Sequence, residues 1–261
     1  MSRLRLCVRA LLENDSATTT RTRSRKRQIG IMHIKQLHRW DVTTQEAIQL
    51  QRDLAGQIDV RRPLKQMDLI AGADISYNLQ SKLMYATALV YRISDGAVIE
   101  TQDVVHSLSF PYVPGLLTFR EAPALLQAFT KLQTRPDAVM LDGQGLAHPR
   151  RLGLASHVGL WLNLPTVGCA KSRYIGKFEE PAEDAGSLSP LMDDDEQIGC
   201  VVRTKNRVRP VFVSVGHKID LASAVRVVLA TGRGYRIPEP TRLADIRVDE
   251  LKRNAACEKR R

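Results

Sequence analysis

Apolar and polar residues alternate along the chain in two rhythms, one typical of helices and the other of strands. Apolar side chains recur every three or four positions over residues 43–58, 118–132 and 221–230, which predicts a helix in each segment. Short runs rich in β-branched and aromatic residues, bounded by Gly, Pro, Asp or Ser, predict strands. These runs are 67–77, 85–93, 98–108, 138–142, 166–170, 198–204 and 211–216.

The order of these elements predicts the class of fold. Short turns such as Ser94-Asp95-Gly96 join the first three strands, so we expect an antiparallel meander. After the second helix come the strand 138–142, the apolar segment 158–164 and the strand 166–170, which gives the order βββ-α-β-α-β. This order indicates an α/β fold with a mixed central sheet flanked by helices.

The second half of the chain predicts a hairpin and an exposed loop. The runs 198–204 and 211–216 predict the hairpin, and the acidic, proline-containing segment 179–196 predicts an exposed loop.

The longest apolar stretch, 158–170, is interrupted by Asn163 and Pro165 and is shorter than the roughly 20 residues of a membrane-spanning helix. We therefore expect no membrane partner.

Composition changes this picture mainly through charge. The 261 residues carry a formal net charge of +11, which favours nucleic acid as a partner. Most of the charge lies at the ends, because residues 1–31 carry +6, residues 250–261 carry +3 and residues 32–249 carry only +2. We predict a basic extension at 1–31, a domain at 32–249 and a basic tail at 250–261. The extension fits a disordered arm that contacts phosphates, a targeting peptide, or an upstream extension of a chain that begins at Met32.

The pattern of the four cysteines predicts neither a disulfide nor a zinc site. Cys7, Cys169, Cys200 and Cys257 are far apart and form no Cys-x-x-Cys pair. A domain of this size does not need disulfides to be stable, so we expect reduced thiols and a cytoplasmic protein.

Two aspartates end apolar strands. Asp74 and Asp142 each follow a run of apolar residues, where a carboxylate is costly unless a cation or donor compensates it. Together with Glu121, in the first turn of the helix between them, they have the oxygens that Mg²⁺ or Mn²⁺ prefers. Each one alone is equally typical of a capping residue or a first-turn acid.

Three basic side chains are further candidates. Lys171 ends the strand 166–170, where an ammonium can stabilise a phosphate transition state, although surface lysines are common there. His217 ends the strand 211–216 and is a candidate general base, although a structural hydrogen bond is the usual role of such a histidine. His148, next to Arg150, is a candidate phosphate contact or a packed loop residue.

A stiff loop at 110–115 presents an aromatic side chain. Its sequence is Phe-Pro-Tyr-Val-Pro-Gly, so Tyr112 has a proline close on either side. A rigid exposed aromatic of this kind is suited to insertion between bases.

These motifs together resemble the endonuclease V family, the deoxyinosine 3′-endonucleases of DNA repair. The most specific strings are Pro-Tyr-Val-Pro-Gly at 111–115 and Asp-Gly-x-Gly-x-x-His-Pro-Arg-Arg at 142–151. Further matching segments follow in order at 70–77, 118–121, 165–171, 189–193, 215–217 and 238–242. The resemblance covers roughly residues 35–245.

The resemblance implies a ribonuclease H-like fold in which the first and fourth strands are neighbours. It implies a Mg²⁺ site, in which Mn²⁺ can substitute, formed by Asp74, Glu121 and Asp142, with Lys171 and His217 assisting the attacking water and the transition state. It also implies a strand-separating wedge. The wedge residues are Pro111, Tyr112, Val113 and Pro114.

The family flips hypoxanthine into a pocket where backbone groups read the base. Gly143, Gly145 and Gly168 are the implied pocket positions, and His148, Arg120 and Arg150 are the implied phosphate contacts. The implied reaction is hydrolysis of the second phosphodiester bond 3′ to deoxyinosine, which leaves a 3′-hydroxyl and a 5′-phosphate.

Alternatives remain open at this point. An inosine-specific endoribonuclease would use the same site on RNA, and a non-catalytic lesion-binding module would not need the full set of carboxylates. General ribonuclease H activity is disfavoured because it does not need the wedge. Action as a monomer is sufficient for the expected chemistry.

Overall fold

The computed structural model of the protein describes residues 32–258, and side chains for residues 32–255. The predicted extension at 1–31 and residues 259–261 lie outside this range. The helices within it are α1 (Thr44–Ala55), α2 (Leu117–Lys131), α3 (Leu154–Leu162), α4 (Leu221–Ala230) and α5 (Glu239–Glu258). The strands are β1 (Leu69–Asn78), β2 (Leu83–Arg92), β3 (Val98–Ser107), β4 (Ala138–Leu141), β5 (Thr166–Ala170), β6 (Leu188–Asp193), β7 (Glu196–Val202) and β8 (Val211–His217).

All eight strands of the described residues form one mixed sheet in the order β3-β2-β1-β4-β5-β8-β7-β6. The pairs β1–β4 and β4–β5 are parallel, whereas the other neighbours are antiparallel. The predicted meander, the hairpin of β7 and β8, and the mixed sheet are therefore confirmed.

Helices cover both faces of the sheet because side chains of a buried strand alternate between the two faces. In β1, Leu69, Ala71 and Ala73 pack in the same core as residues of α2 and α3. Ile70 points to the opposite face, where it packs in a core with residues of α4. On that side α5 also contacts β2, through Ala244 beside Leu89 and Tyr91.

Helix α1 has a complete N-terminal cap. The Thr43 hydroxyl accepts a hydrogen bond from the Glu46 backbone, and the Glu46 carboxylate accepts one from the Thr43 backbone. The buried face of α1 carries Ala47, Gln51 and Leu54, spaced by four and three residues.

Two segments differ from the prediction. The segment 179–196, expected to be an exposed loop, contains strand β6, which pairs with β7 at the edge of the sheet. The boundary predicted between residues 249 and 250 falls inside α5, since this helix continues to Glu258.

Cys169 and Cys200 are free thiols in the core. Among residues 32–258 no helix has both the length and the apolar character needed to cross a bilayer.

Candidate active site

The parallel pairing of β1 and β4 places Asp74 and Asp142 at the same edge of the sheet. Ala73 and Leu141 are partners in the register, and the next residue in each case is an aspartate, Asp74 within β1 and Asp142 directly after β4. Both carboxylates are partly buried at this point. The hypothesis that these two acids form one site is therefore supported by the geometry.

Glu121 reaches the same region from α2. Its carboxylate accepts a short hydrogen bond from the Tyr77 hydroxyl, which extends from β1. Burial raises the pKa of Glu121 to about 7, and the negative charge of Asp142 acts in the same direction. Burial also raises the pKa of Tyr77 above its ordinary value, and the negative charge of Glu121 adds to this effect. The tyrosine therefore keeps its proton and remains a donor.

A third aspartate, Asp245, was not among the residues predicted from the sequence. It lies on α5 and forms a hydrogen bond with the Asp74 carboxyl group. Burial raises the pKa of Asp74 to about 8, and the bond with Asp245 and the charges of Asp142 and Asp245 add to the effect. The site thus brings together four carboxyl groups from two strands and two helices, namely β1, the end of β4, α2 and α5.

Lys171 is the cation nearest to Asp142. Its Nζ lies 2.6 Å from Oδ2 of Asp142, and about 44% of its side chain is exposed. Burial opposes the charged form, but the hydrogen bond to Asp142 and the charge of that carboxylate raise the pKa of Lys171 overall. Lys171 therefore stays charged beside the acids.

The acidic group suits a divalent cation in its chemistry and charge. Burial raises the pKa values of Asp74 and Glu121, and the negative charge of Asp142 adds to both effects. An oxygen-ligated cation would relieve the repulsion between these acids. Among the described residues, no three His, Cys, Asp or Glu side chains are already grouped at metal-ligand spacing. The acids instead have protein partners: Tyr77 for Glu121, Lys171 for Asp142 and Asp245 for Asp74.

An open cavity of about 330 Å³ adjoins Asp142. Asp142, Gly143 and Lys171 form one part of its wall, and the loop at 112–115 forms another. Within this loop Tyr112 is 70% exposed, whereas Phe110 is buried against Phe119. The loop is therefore anchored in the core at its start and presents its tyrosine to solvent.

Known proteins resemble this chain over nearly its whole described length. The sequence model of the family described as endonuclease V matches residues 52–246. The endonuclease V of Dehalococcoides mccartyi is 47% identical over 218 residues, which is 84% of this chain and 98% of that protein. The chain belongs to the endonuclease V family.

Solved structures of this family share the fold. The endonuclease V of Bacillus subtilis superposes with a TM-score of 0.82 at 29% identity, over 87% of this chain and all of that one. The endonuclease V of Ciona intestinalis, in complex with a 24mer DNA containing an inosine followed by a ribo-adenosine, has a TM-score of 0.69 at 27% identity. That match covers 80% of this chain and 98% of the Ciona chain. The predicted ribonuclease H-like fold is confirmed, and the protein is a nuclease of the endonuclease V family.

One residue expected at the endonuclease V site lies elsewhere. β8 is antiparallel to β5, and His217 pairs with Thr166 at the start of β5, whereas Lys171 follows the end of that strand. His217 is 5% exposed, and its Nδ1 accepts a hydrogen bond from the backbone of Asp59. The expectation that His217 assists the attacking water is therefore corrected, since it lies at the opposite edge of the sheet.

The expected phosphate contacts also have different partners. Arg120 is 9% exposed and donates to the carbonyl of Phe110, and its guanidinium lies over the Tyr77 ring. Arg150 and His148 both donate to the carbonyl of Gly115. These three residues hold the two ends of the exposed loop, and His148 also lines the cavity, so their expected contact with phosphate stays a prediction.

The three glycines differ in position. Gly143 lines the cavity. A Cβ on Gly145 would lie 2.0 Å from the carbonyl oxygen of Val215, and one on Gly168 would lie 2.6 Å from that of Gly143. Close backbone packing therefore explains Gly145 and Gly168. The cavity wall also includes Tyr174, which no sequence motif singled out.

Proposed function

We propose that the protein is a metal-dependent endonuclease that recognises deoxyinosine in DNA. The observation that carries this proposal is the position of Asp142, which lies in the wall of an open cavity bounded by an exposed tyrosine loop and next to Asp74 across the β1–β4 pair. The Ciona relative binds DNA that contains inosine, which supports the same class of ligand for this chain.

Asp74, Glu121 and Asp142 are the proposed ligands of Mg²⁺, which Mn²⁺ can replace, and Asp245 is placed to assist them through Asp74. The bound metal supplies Lewis acidity and lowers the pKa of a coordinated water. Lys171, held beside Asp142, is placed to stabilise negative charge that develops on the phosphate.

The cavity is the proposed receptor for the flipped base. A flipped base leaves a gap in the stack, and an exposed aromatic side chain such as Tyr112 is suited to fill it. Gly143 and Leu154 both line the cavity, and a Cβ on Gly143 would lie 3.2 Å from Cδ2 of Leu154, so we propose that the base lies against this pair. Of the three proposed metal ligands only Asp142 lines the cavity, whereas Asp74 and Glu121 are not part of its wall, which supports hydrolysis away from the damaged nucleotide. We propose the second phosphodiester bond on its 3′ side, with 3′-hydroxyl and 5′-phosphate products.

A second candidate is cleavage of inosine-containing RNA. The DNA bound by the Ciona relative has a ribonucleotide directly after the inosine, which favours a site that accepts a 2′-hydroxyl at that position. The carboxylates and Lys171 serve either substrate equally.

A comparison of four matched strands tests these proposals. Duplex DNA and single-stranded RNA of the same sequence each carry either inosine or guanine at one position, and nicking is measured with Mg²⁺. We expect the inosine DNA to be nicked at least tenfold faster than each of the guanine controls. Faster cleavage of inosine RNA than of inosine DNA would favour the endoribonuclease, and equal cleavage of inosine and guanine strands would contradict both proposals.

A further inference from the structure

Gln51 is a fully buried amide whose hydrogen-bonding atoms are all used. It lies on α1, and its Nε2 donates to the carbonyls of Gly115 and Leu152, both at 3.0 Å. Its Oε1 accepts from Nε of Arg150 at 2.6 Å. Because an unpaired buried amide is costly, this complete set of partners fixes the orientation of the side chain.

Gly115, the main partner of Gln51, ends the exposed loop. Its φ of +82° lies in the left-handed region, and a Cβ there would lie 2.6 Å from Nη2 of Arg150. Its carbonyl accepts hydrogen bonds from Gln51, His148 and Arg150 at 3.0, 3.1 and 2.8 Å. Three donors on one carbonyl make this the most strongly held point of the loop.

The donors also hold one another. Arg150 donates from Nε to Gln51 and from Nη2 to Gly115, so its planar guanidinium bridges the two. The backbone N–H of Arg150 donates to Nδ1 of His148, so the His148 proton lies on Nε2, which faces Gly115. At the other end of the loop, Arg120 donates to the Phe110 carbonyl.

We propose that Gln51 is a positioning residue for strand separation. Gln51 and Arg150 together fix the Gly115 carbonyl, and this fixes the direction in which Tyr112 projects. The inference rests on the proposed function, because it assigns Tyr112 the task of separating strands at inosine. Gln51 itself is buried and has no contact with the cavity, so it acts through the loop and not on the DNA.

A role of Gln51 in strand separation can be distinguished by experiment from a role in supporting the fold. A wedge is needed where inosine is base-paired, and it is needed less where the strand is already single. The loss of a positioning residue should therefore slow nicking of duplex inosine DNA more than nicking of the same strand alone. A residue that only supports the fold would slow both reactions equally.

The test uses Gln51→Met, which keeps the length of the side chain and removes all three hydrogen bonds. We expect the ratio of duplex to single-strand nicking rates to fall at least tenfold from that of the wild type. We also expect the backbone amides of Tyr112, Val113, Gly115 and Leu116 to exchange hydrogen at least tenfold faster. Gln49→Ala is the matched control, since Gln49 is exposed on the same helix and donates to Asp53.

Arg150→Lys is the second variant, and it carries the test if Gln51→Met does not fold. A lysine keeps the charge but has no fork with which to hold both Gln51 and Gly115, so the same change in both readouts is expected. Equal slowing of duplex and single-strand nicking, or unchanged amide exchange in a folded variant, would overturn the proposal. A wild-type chain that nicks neither substrate would instead refute the proposed function, and hydrogen exchange alone would then decide whether Gln51 holds the loop.

Discussion

Nζ of Lys171 lies 2.6 Å from Oδ2 of Asp142, so a lysine from the end of β5 pairs directly with an acid from the end of β4. In the proposed metal site, this lysine would share Asp142 with the metal ion. Its charge reduces the repulsion among the acids, and its partly exposed ammonium is available to a phosphate at the same place.

Removal of Lys171 should therefore have opposite effects on metal binding and on catalysis. In Lys171→Met we expect Mn²⁺ to bind a few fold more tightly, because a competing positive charge is lost. Nicking should slow by about 10²–10³, the usual loss when one charge-stabilising donor is removed. Titration calorimetry and single-turnover nicking measure the two effects. Lys177→Met removes the same charge from an exposed position nearby and should change neither, and weaker Mn²⁺ binding in Lys171→Met would contradict the account.

Tyr112 should contribute to activity but not to stability. Since its side chain is 70% exposed, Tyr112→Ala should leave the unfolding free energy within about 0.5 kcal/mol of the wild type. The loss of base stacking, worth about 1–3 kcal/mol, should slow duplex nicking by roughly fivefold to a hundredfold. Val98→Ala, which trims an exposed apolar side chain on β3, serves as the control. A Tyr112→Ala protein with unchanged duplex nicking would remove the wedge from the account.

His217 should affect stability at low pH and not catalysis. Burial, assisted by the charges of Lys218, Lys35 and Arg62, lowers the pKa of His217 to about 4. An unfolded imidazole binds its proton near pH 6.5, so the unfolded state binds more protons between pH 6.5 and 4. The stability due to neutral His217 is therefore complete above pH 6.5 and is lost as the pH falls toward 4.

His217→Asn keeps an acceptor for the Asp59 backbone and cannot bind the proton. Between pH 7 and pH 5 we expect the variant to lose about 1–2 kcal/mol less unfolding free energy than the wild type, measured by urea denaturation. Its nicking rate at pH 7.5 should match that of the wild type. A rate at least a hundredfold lower, with the fold intact, would restore His217 to the catalytic group.

The basic extension should supply non-specific affinity. Residues 1–31 carry +6 of the total charge, and each released counterion adds to the salt dependence of binding. A chain that begins at Met32 should keep inosine-specific nicking and lose salt-sensitive binding to undamaged DNA, as seen in binding titrations at 50 and 200 mM salt. Loss of specific nicking on truncation would show that the extension takes part in recognition.

Most of the fold was predictable because apolar patterning is strong in its central strands. β6 was missed because Pro190 and the surrounding acids are typical of a loop, and a proline is tolerated there only because the strand lies at the edge of the sheet. Helix α5 was not predicted because most of its residues are polar. Its close contact with β1, where a Cβ on Gly72 would lie 2.0 Å from the Pro240 carbonyl oxygen, involves residues distant in sequence.

The candidate site was predictable only in part for a related reason. Asp74 and Asp142 were found because each follows a run of apolar residues and their strands are parallel neighbours, although β1 continues past Asp74 to Asn78. The same argument was wrong for His217, because the end of an antiparallel strand lies at the other edge of the sheet. Asp245 has no strand before it, so only the packing of α5 shows that it reaches Asp74.

The most direct test of the central claim is to map the cut on a 5′-labelled DNA duplex with one deoxyinosine, incubated with Mg²⁺ and with wild-type or Asp142→Asn protein. The account predicts one nick, at the second phosphodiester bond 3′ to deoxyinosine, that is at least a thousandfold slower in Asp142→Asn and absent after chelation of the metal. No nick in the inosine strand, or an equal rate with Asp142→Asn, would contradict it.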